Sequence, residues 1–287
     1  MSDDLTLAAT TPPRGAPRAR RLLPKRSSVA SLLVLLALAL VWEGAKALFG
    51  ISDQKLPHLL AIFGEFGTRT RGGAGPVLAV AMFENAVVTF GEALFGFALG
   101  GLLGCTLAVV FASSRLLERG LLPFVVGSQT VPILAIAPMV VVGLGRLGAP
   151  DLLSKAVVAA YLTFFPVTIG MLRGLRSVPP DALSLMRSYA ASAGQTFWKL
   201  RLPAALPYLF TSLKVAATAS VIGAIVAELP AGSKNGIGVT ILNATQYYNS
   251  RPPVLYAAVL VAGAIGLLFY GIVALAERLI IRERKAE

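Results

Sequence analysis

Residues 177–207 read SVPPDALSLMRSYAASAGQTFWKLRLPAALP. They form a polar, basic island in a chain that is otherwise mostly apolar. Apolar runs flank the island, 152–172 before it and 208–229 after it. Each is long enough to cross a bilayer as a helix, which takes roughly 20 residues. The island is therefore a loop between two spans, and it carries a helical pattern of its own. Pro179 and Pro180 suit a helix start, where no amide donor is needed. Asp181 falls in the first turn, where the helix dipole favours an anion. Ala182, Leu185, Met186, Tyr189 and Ala193 recur at helical spacing as one apolar stripe. Ser184, Arg187, Ser188, Ser192 and Gln195 take the other side. Gly194 is the expected stop. Residues 196–202 are expected to form a second short helix, ended by Pro203. Two readings of the first helix stay open. Its stripe lies in the membrane surface, or it enters a groove of a partner protein.

Working outward, 56% of the 287 residues are hydrophobic and only 14% are charged. Soluble domains sit nearer about 45–50% apolar and about 25% charged. The expectation is an all-α polytopic membrane protein with six spans, about 29–49, 82–112, 121–144, 152–172, 208–229 and 254–276. Residues 1–28, rich in Pro, Ala and Arg, read as a disordered basic tail. Residues 29–287 read as one transmembrane domain, with 173–207 as its loop. The net charge of +12 does not indicate nucleic acid, because the basic residues are spread over short loops and the ends. Lys and Arg keep to the cytoplasmic side of membrane proteins. Arg18, Arg20, Arg21, Lys25 and Arg26 precede the first span, and Arg278, Arg282, Arg284 and Lys285 follow the last. Both termini, and the island, are thus expected in the cytoplasm. The single cysteine, Cys105, excludes an intramolecular disulfide and a cysteine metal cluster.

The second span carries Gly96, Gly100 and Gly104 at four-residue spacing, which permits close helix packing. It also carries Glu92, and an acid inside a span is a candidate functional group, the alternative being a buried structural hydrogen bond. The third span contains Pro123, Pro132 and Pro138, with Gln129 and Thr130 beside the middle one. Prolines free backbone carbonyls that a neighbour or a water-lined cavity must satisfy. Such prolines kink the span, and the local reading that they only bend and pack it stays open. Two longer segments, 51–80 and 231–253, lie on the other side, each with a short surface helix expected.

No Gly-rich phosphate loop is present, so any ATP is bound by another chain. No metal-ligand spacing occurs, and the one histidine, His58, excludes a Ser-His-Asp arrangement. An intramembrane enzyme is not expected. The main alternative to an ATP-driven system is an ion-coupled secondary carrier. Such carriers place ionisable groups near the midplane and repeat their halves. Here Glu43, Glu92 and Glu228 fall nearer the outer ends, and no repeat is visible.

The island resembles the signature loop of the permease subunits of bacterial ABC importers. That signature reads Glu-Ala-Ala, three residues, Gly, nine residues, Ile, any residue, Leu-Pro. Counting back from Leu202 and Pro203, Leu200 takes the Ile position and Ala190 the Gly position. Ser184, Leu185 and Met186 take the Glu-Ala-Ala position. The spacing fits, while the Gly and the first three letters differ. The resemblance spans about 32–284 and is nearest to the branch for nitrate, taurine, sulfonates and thiamine pyrimidine precursors. It implies a coupling helix, with Asp181, Ser184, Leu185, Met186, Arg187, Tyr189, Ala190, Gly194, Leu200, Leu202 and Pro203 in the docking loop. The third span is similar to the family's pore-lining helix, which implies Gln129, Thr130, Pro132 and Pro138, together with Glu92 of the second span, as candidates for the solute path. It also implies a second copy of the permease, two cytoplasmic ATP-binding subunits that carry ATP and Mg, and a periplasmic solute-binding protein. The place of such a subunit is the bacterial inner membrane.

Overall fold

The structure, a computed structural model, describes residues 24–230 and 233–283. Most of the expected tail, residues 1–23, lies outside the described residues. The first helix, α1 (Pro24–Phe49), starts before the span expected at 29. It forms a compact unit with the residues up to Ser52, and Asp53–Glu287 forms another. α1 presents leucines such as Leu32, Leu36 and Leu40 at its surface, a composition suited to lipid.

The second unit is helical throughout. No strand forms among its described residues, and one antiparallel bridge joins Arg69 to Val77. A bilayer core offers no hydrogen-bond partners, so an isolated span must satisfy its own backbone, and a helix does so. α2 (Leu59–Glu65) is short and superficial. α3 (Leu78–Ser113) runs from the α2 end to the opposite end, which also carries residues 177–201 and is called the loop end here. α6 (Asp151–Leu175) and α9 (Leu202–Glu228) follow it in packing, with α6 between α3 and α9. α10 (Ile237–Gln246) packs on α9 at the far end, and α11 (Pro252–Glu283) runs along α9, where Glu277 pairs with Lys214 near the loop end.

Small residues permit this packing. A Cβ on Gly104 would lie 2.6 Å from the Phe164 carbonyl, and one on Gly223 would lie 2.6 Å from Ala159 Cα. α6 thus meets α3 on one side and α9 on the other at near backbone contact. Ala93, Val221, Ala224, Ile265 and Phe269 form the larger core cluster, and Phe111, Met171, Leu175 and Ala205 a second at the loop end.

The third expected span is a correction. It is a bent pair, α4 (Arg115–Ser128) and α5 (Ile133–Arg146), meeting at 94°. Among the described residues, five helices are therefore long and apolar enough to cross a membrane singly, and the bent pair supplies a sixth crossing if counted as one. Of its three prolines, only Pro132 sits at the break, as the N-cap of α5 in extended conformation. Pro123 and Pro138 lie inside α4 and α5.

Candidate functional site

The loop between α6 and α9 folds as two short helices. Pro180 opens α7 (Pro180–Ser188), with Asp181 in its first turn. The expected stop at Gly194 is wrong. α7 ends at Ser188, six residues earlier, and Ala190 just beyond it takes a left-handed conformation at φ 52°. Ser192 then caps α8 (Ala193–Thr196) in a reciprocal box: its hydroxyl accepts from Gln195 N–H, and the Gln195 side chain accepts from Ser192 N–H at 2.9 Å. Gly194 lies inside that turn. The expected end at Pro203 is also wrong, because Phe197–Arg201 forms a π turn that leads straight into α9. Leu202 N–H reaches back five residues to Phe197 O. The widened turn accommodates Pro203, which has no N–H to give.

The Gly position of the signature thus falls on the residue whose backbone favours glycine. A left-handed alanine costs about 1–2 kcal/mol. Ala190→Gly is expected to stabilise the chain by about 1 kcal/mol, raising its thermal midpoint by about 3 °C. A midpoint that stays put or falls counts against this geometry.

The apolar stripe also divides differently from the pattern. Ala182, Leu183 and Met186 are half-buried, and Leu183 lines a cavity. Leu185 and Tyr189, at 57% and 77% exposure, face outward. Ser184 and Arg187 are exposed as well, while Leu200, Leu202 and Pro203 are half-buried. The cavity, about 1040 Å³, opens at the loop end between α4, α6 and the loop. Arg115, Arg119, Arg176 and Arg201 line it beside Glu118. Both terminal guanidinium nitrogens of Arg176, Nη1 and Nη2, donate to the Glu118 carboxylate, which fixes the start of α4 to the end of α6. No periodicity links these two, since they lie 58 residues apart.

The path candidates separate. Gln129 and Thr130 lie at the elbow between α4 and α5, next to Pro132. Gln129 is half-buried and donates to Ser128 Oγ at 3.3 Å, and Thr130 donates to Gly127 O at 2.7 Å. The Tyr161 hydroxyl donates to Ser128 O and ties the elbow to α6. Pro138 is exposed on α5. Glu92 belongs elsewhere: it is 2% exposed, and Lys155 Nζ donates to its Oε1 at 2.8 Å. The reading of Glu92 alone missed Lys155, Asp151, Thr89 and Glu228, which surround it. The available signal was the Asp151 and Lys155 pair, four residues apart at the start of an apolar run.

A second cavity, about 880 Å³, opens at the far end. Glu84, Asn85, Asn243, Tyr247 and Arg251 line it.

Residues 96–282 match the family described as the binding-protein-dependent transport system inner membrane component. The chain belongs to this family. It is a permease of ABC type and a multi-pass membrane protein. A probable ABC transporter permease of Haemophilus influenzae is 32% identical over 241 residues, covering 83% of this chain and 91% of that protein. The riboflavin transport system permease RibX of Chloroflexus aurantiacus is 30% identical over 270 residues, covering 94% and 96%. Among solved structures, an amino acid ABC transporter with histidines superposes with a TM-score of 0.57 at 15% identity, over 70% of this chain and 94% of that one. The MetNI methionine ABC transporter gives 0.54 at 18%, over 72% and 95%. These two likenesses are of fold. The alternative of an ion-coupled carrier gives way to the family.

Proposed function

We propose that this permease is the membrane half of an ATP-driven importer in the bacterial inner membrane, with both termini cytoplasmic. Two copies would form the path, and two ATP-hydrolysing subunits would dock on residues 181–203. A periplasmic binding protein would deliver solute to the end carrying α2 and α10. ATP and Mg then belong to the partner chains. The observation that carries this reading is the outward pair Leu185 and Tyr189 on a capped helical loop. A plain connection between spans has no need of a capped helix–turn–helix, and exposed large apolar residues on such a frame suit a partner's groove. The relatives named for riboflavin, formylaminopyrimidine and aliphatic sulfonates support a small solute of pyrimidine-precursor or sulfonate type. Gln129 and Thr130, at the elbow of a broken helix, are the proposed lining residues.

The test is co-purification of the tagged permease with an ATP-hydrolysing subunit, with and without Leu185→Asp. Removing a buried apolar anchor costs about 2 kcal/mol or more, so the variant is expected to lose the partner more than about tenfold at equal membrane level. Met186→Asp is less discriminating, because Met186 is half-buried. An unmutated chain that brings no ATPase, and supports uptake on an ion gradient, would overturn the proposal.

A further inference from the structure

Four helices meet around a buried polar cluster at the far end. Lys155 and Glu228 are 1% and 0% exposed, as sealed as Glu92. Lys155 Nζ donates to Glu92 Oε1 at 2.8 Å and to Asp151 Oδ2 at 2.7 Å. Asp151 is open to solvent, with 65% of its side chain exposed. The Thr89 hydroxyl donates to Glu228 Oε1 at 2.6 Å, and Gly238 N–H donates to Glu228 Oε2 at 2.5 Å. Both oxygens of Glu228 are therefore acceptors, as a carboxylate requires. Glu92 differs. Its Oε2 is buried with no hydrogen-bond partner, and Glu228 lies close by, bonded to Thr89 one turn earlier on the same helix as Glu92.

The other charged groups nearby do not enter. Arg146 at the end of α5, Glu84 on α3 and Lys234 before α10 are exposed. The charged residues of α11 begin at Glu277, near its opposite end. α10 presents backbone amides only: Gly236 N–H donates to Asn85 Oδ1 at 2.8 Å and Ile237 N–H to Thr89 Oγ1 at 2.9 Å. The sealed cluster thus holds two acids against one ammonium. Two facing carboxylates cannot both ionise at close range. An uncompensated charge in such a place is strongly unfavourable. A hydrogen carried on the unpartnered Glu92 oxygen removes the excess charge and gives that oxygen a bond to make.

We infer that Glu92 and Glu228 form a buried proton-binding site, with the proton on Glu92 Oε2 directed at the Glu228 carboxylate. The bound proton leaves Glu228 and Lys155 balanced. It also completes the clasp that holds the start of α10 on α3 and α9, beside the far-end cavity. Glu92 is a positioning residue here, acting through Glu228.

The experiment uses the full chain in lipid nanodiscs, native and Glu92→Gln. Infrared difference spectra between H₂O and D₂O should show a deuterium-shifted carbonyl stretch of a protonated carboxyl in the native chain. That band should be lost in Glu92→Gln. The amide keeps an oxygen for Lys155 and offers Glu228 an N–H, so the thermal midpoint should stay within about 3 °C of native. Absence of the band in the native chain, or its survival in Glu92→Gln, would place the proton elsewhere and overturn the inference. So would a larger fall in the midpoint, which would mean that Glu92 works as a carboxylate. A native midpoint that follows exchange of sodium for potassium would assign the position to a metal cation instead.

Discussion

Replacing Lys155 with methionine is expected to destabilise the permease by about 3–5 kcal/mol, the usual result of removing one partner from a buried ion pair. The side chain is sealed, and its ammonium is the donor to Glu92 Oε1. Methionine fills similar volume, so the loss measures charge and hydrogen bonding rather than a cavity. Glu92 loses its donor, and Glu228 loses the buried positive charge of Lys155. Asp151→Asn provides the contrast. Asp151 contacts the same ammonium at 2.7 Å but stands largely in solvent, where an ion pair contributes about 0–1 kcal/mol. Adding Glu228→Gln to Lys155→Met should recover part of the loss, because the stranded charge is then gone. Denaturation of the purified chains in nanodiscs measures all three. A Lys155→Met chain within about 1 kcal/mol of native would mean that the cluster contributes little.

That cluster shows where the sequence stops being readable. Spans and loops follow from composition, because a bilayer demands about 20 apolar residues per crossing. The glycine spacing at 96, 100 and 104 forecast close packing, and α3 meets α6 there. The two short surface helices were legible too, as α2 and α10. What failed was local backbone conformation. Glycine at 194 looked like a stop, but the Ser192 and Gln195 box starts a new helix around it, and Ala190 adopts the left-handed turn without the usual glycine. Pro203 looked like an end, but a π turn lets the helix run on. The third span carries three prolines that could each break it, and only Pro132 marks the break. Long-range pairs were invisible for a different reason. Glu92 lies 63 residues from Lys155, and Thr89 lies 139 from Glu228, so nothing in a local pattern couples them.

Gly100→Val is expected to be nearly as damaging as the loss of Lys155, for a steric reason. A Cβ at Gly100 would lie 2.6 Å from the Ala160 carbonyl and 2.7 Å from Thr163 Cβ. One of these atoms is backbone of α6, so no side-chain rotation relieves the overlap, and the helices must separate. Overpacking of this kind costs about 1–3 kcal/mol and sometimes more, and valine adds two methyl groups beyond the first clash. The neighbouring position is the control. A Cβ on Gly101 would meet nothing within 4 Å, and alanine is the better helix former by about 1 kcal/mol. Gly101→Ala should therefore leave the midpoint unchanged or raise it. The effect should also travel along α6. That helix carries Lys155 near its first turn, Ala160 and Thr163 in the middle, and the 177–201 loop beyond its last. Prising it from α3 should weaken the Glu92 to Lys155 contact at one end and the Arg176 to Glu118 contact at the other. Hydrogen exchange read along α6 would then show faster exchange at both ends in Gly100→Val and at neither in Gly101→Ala. Equal exchange in the two variants would mean that α3 and α6 are not held in backbone contact at Gly100.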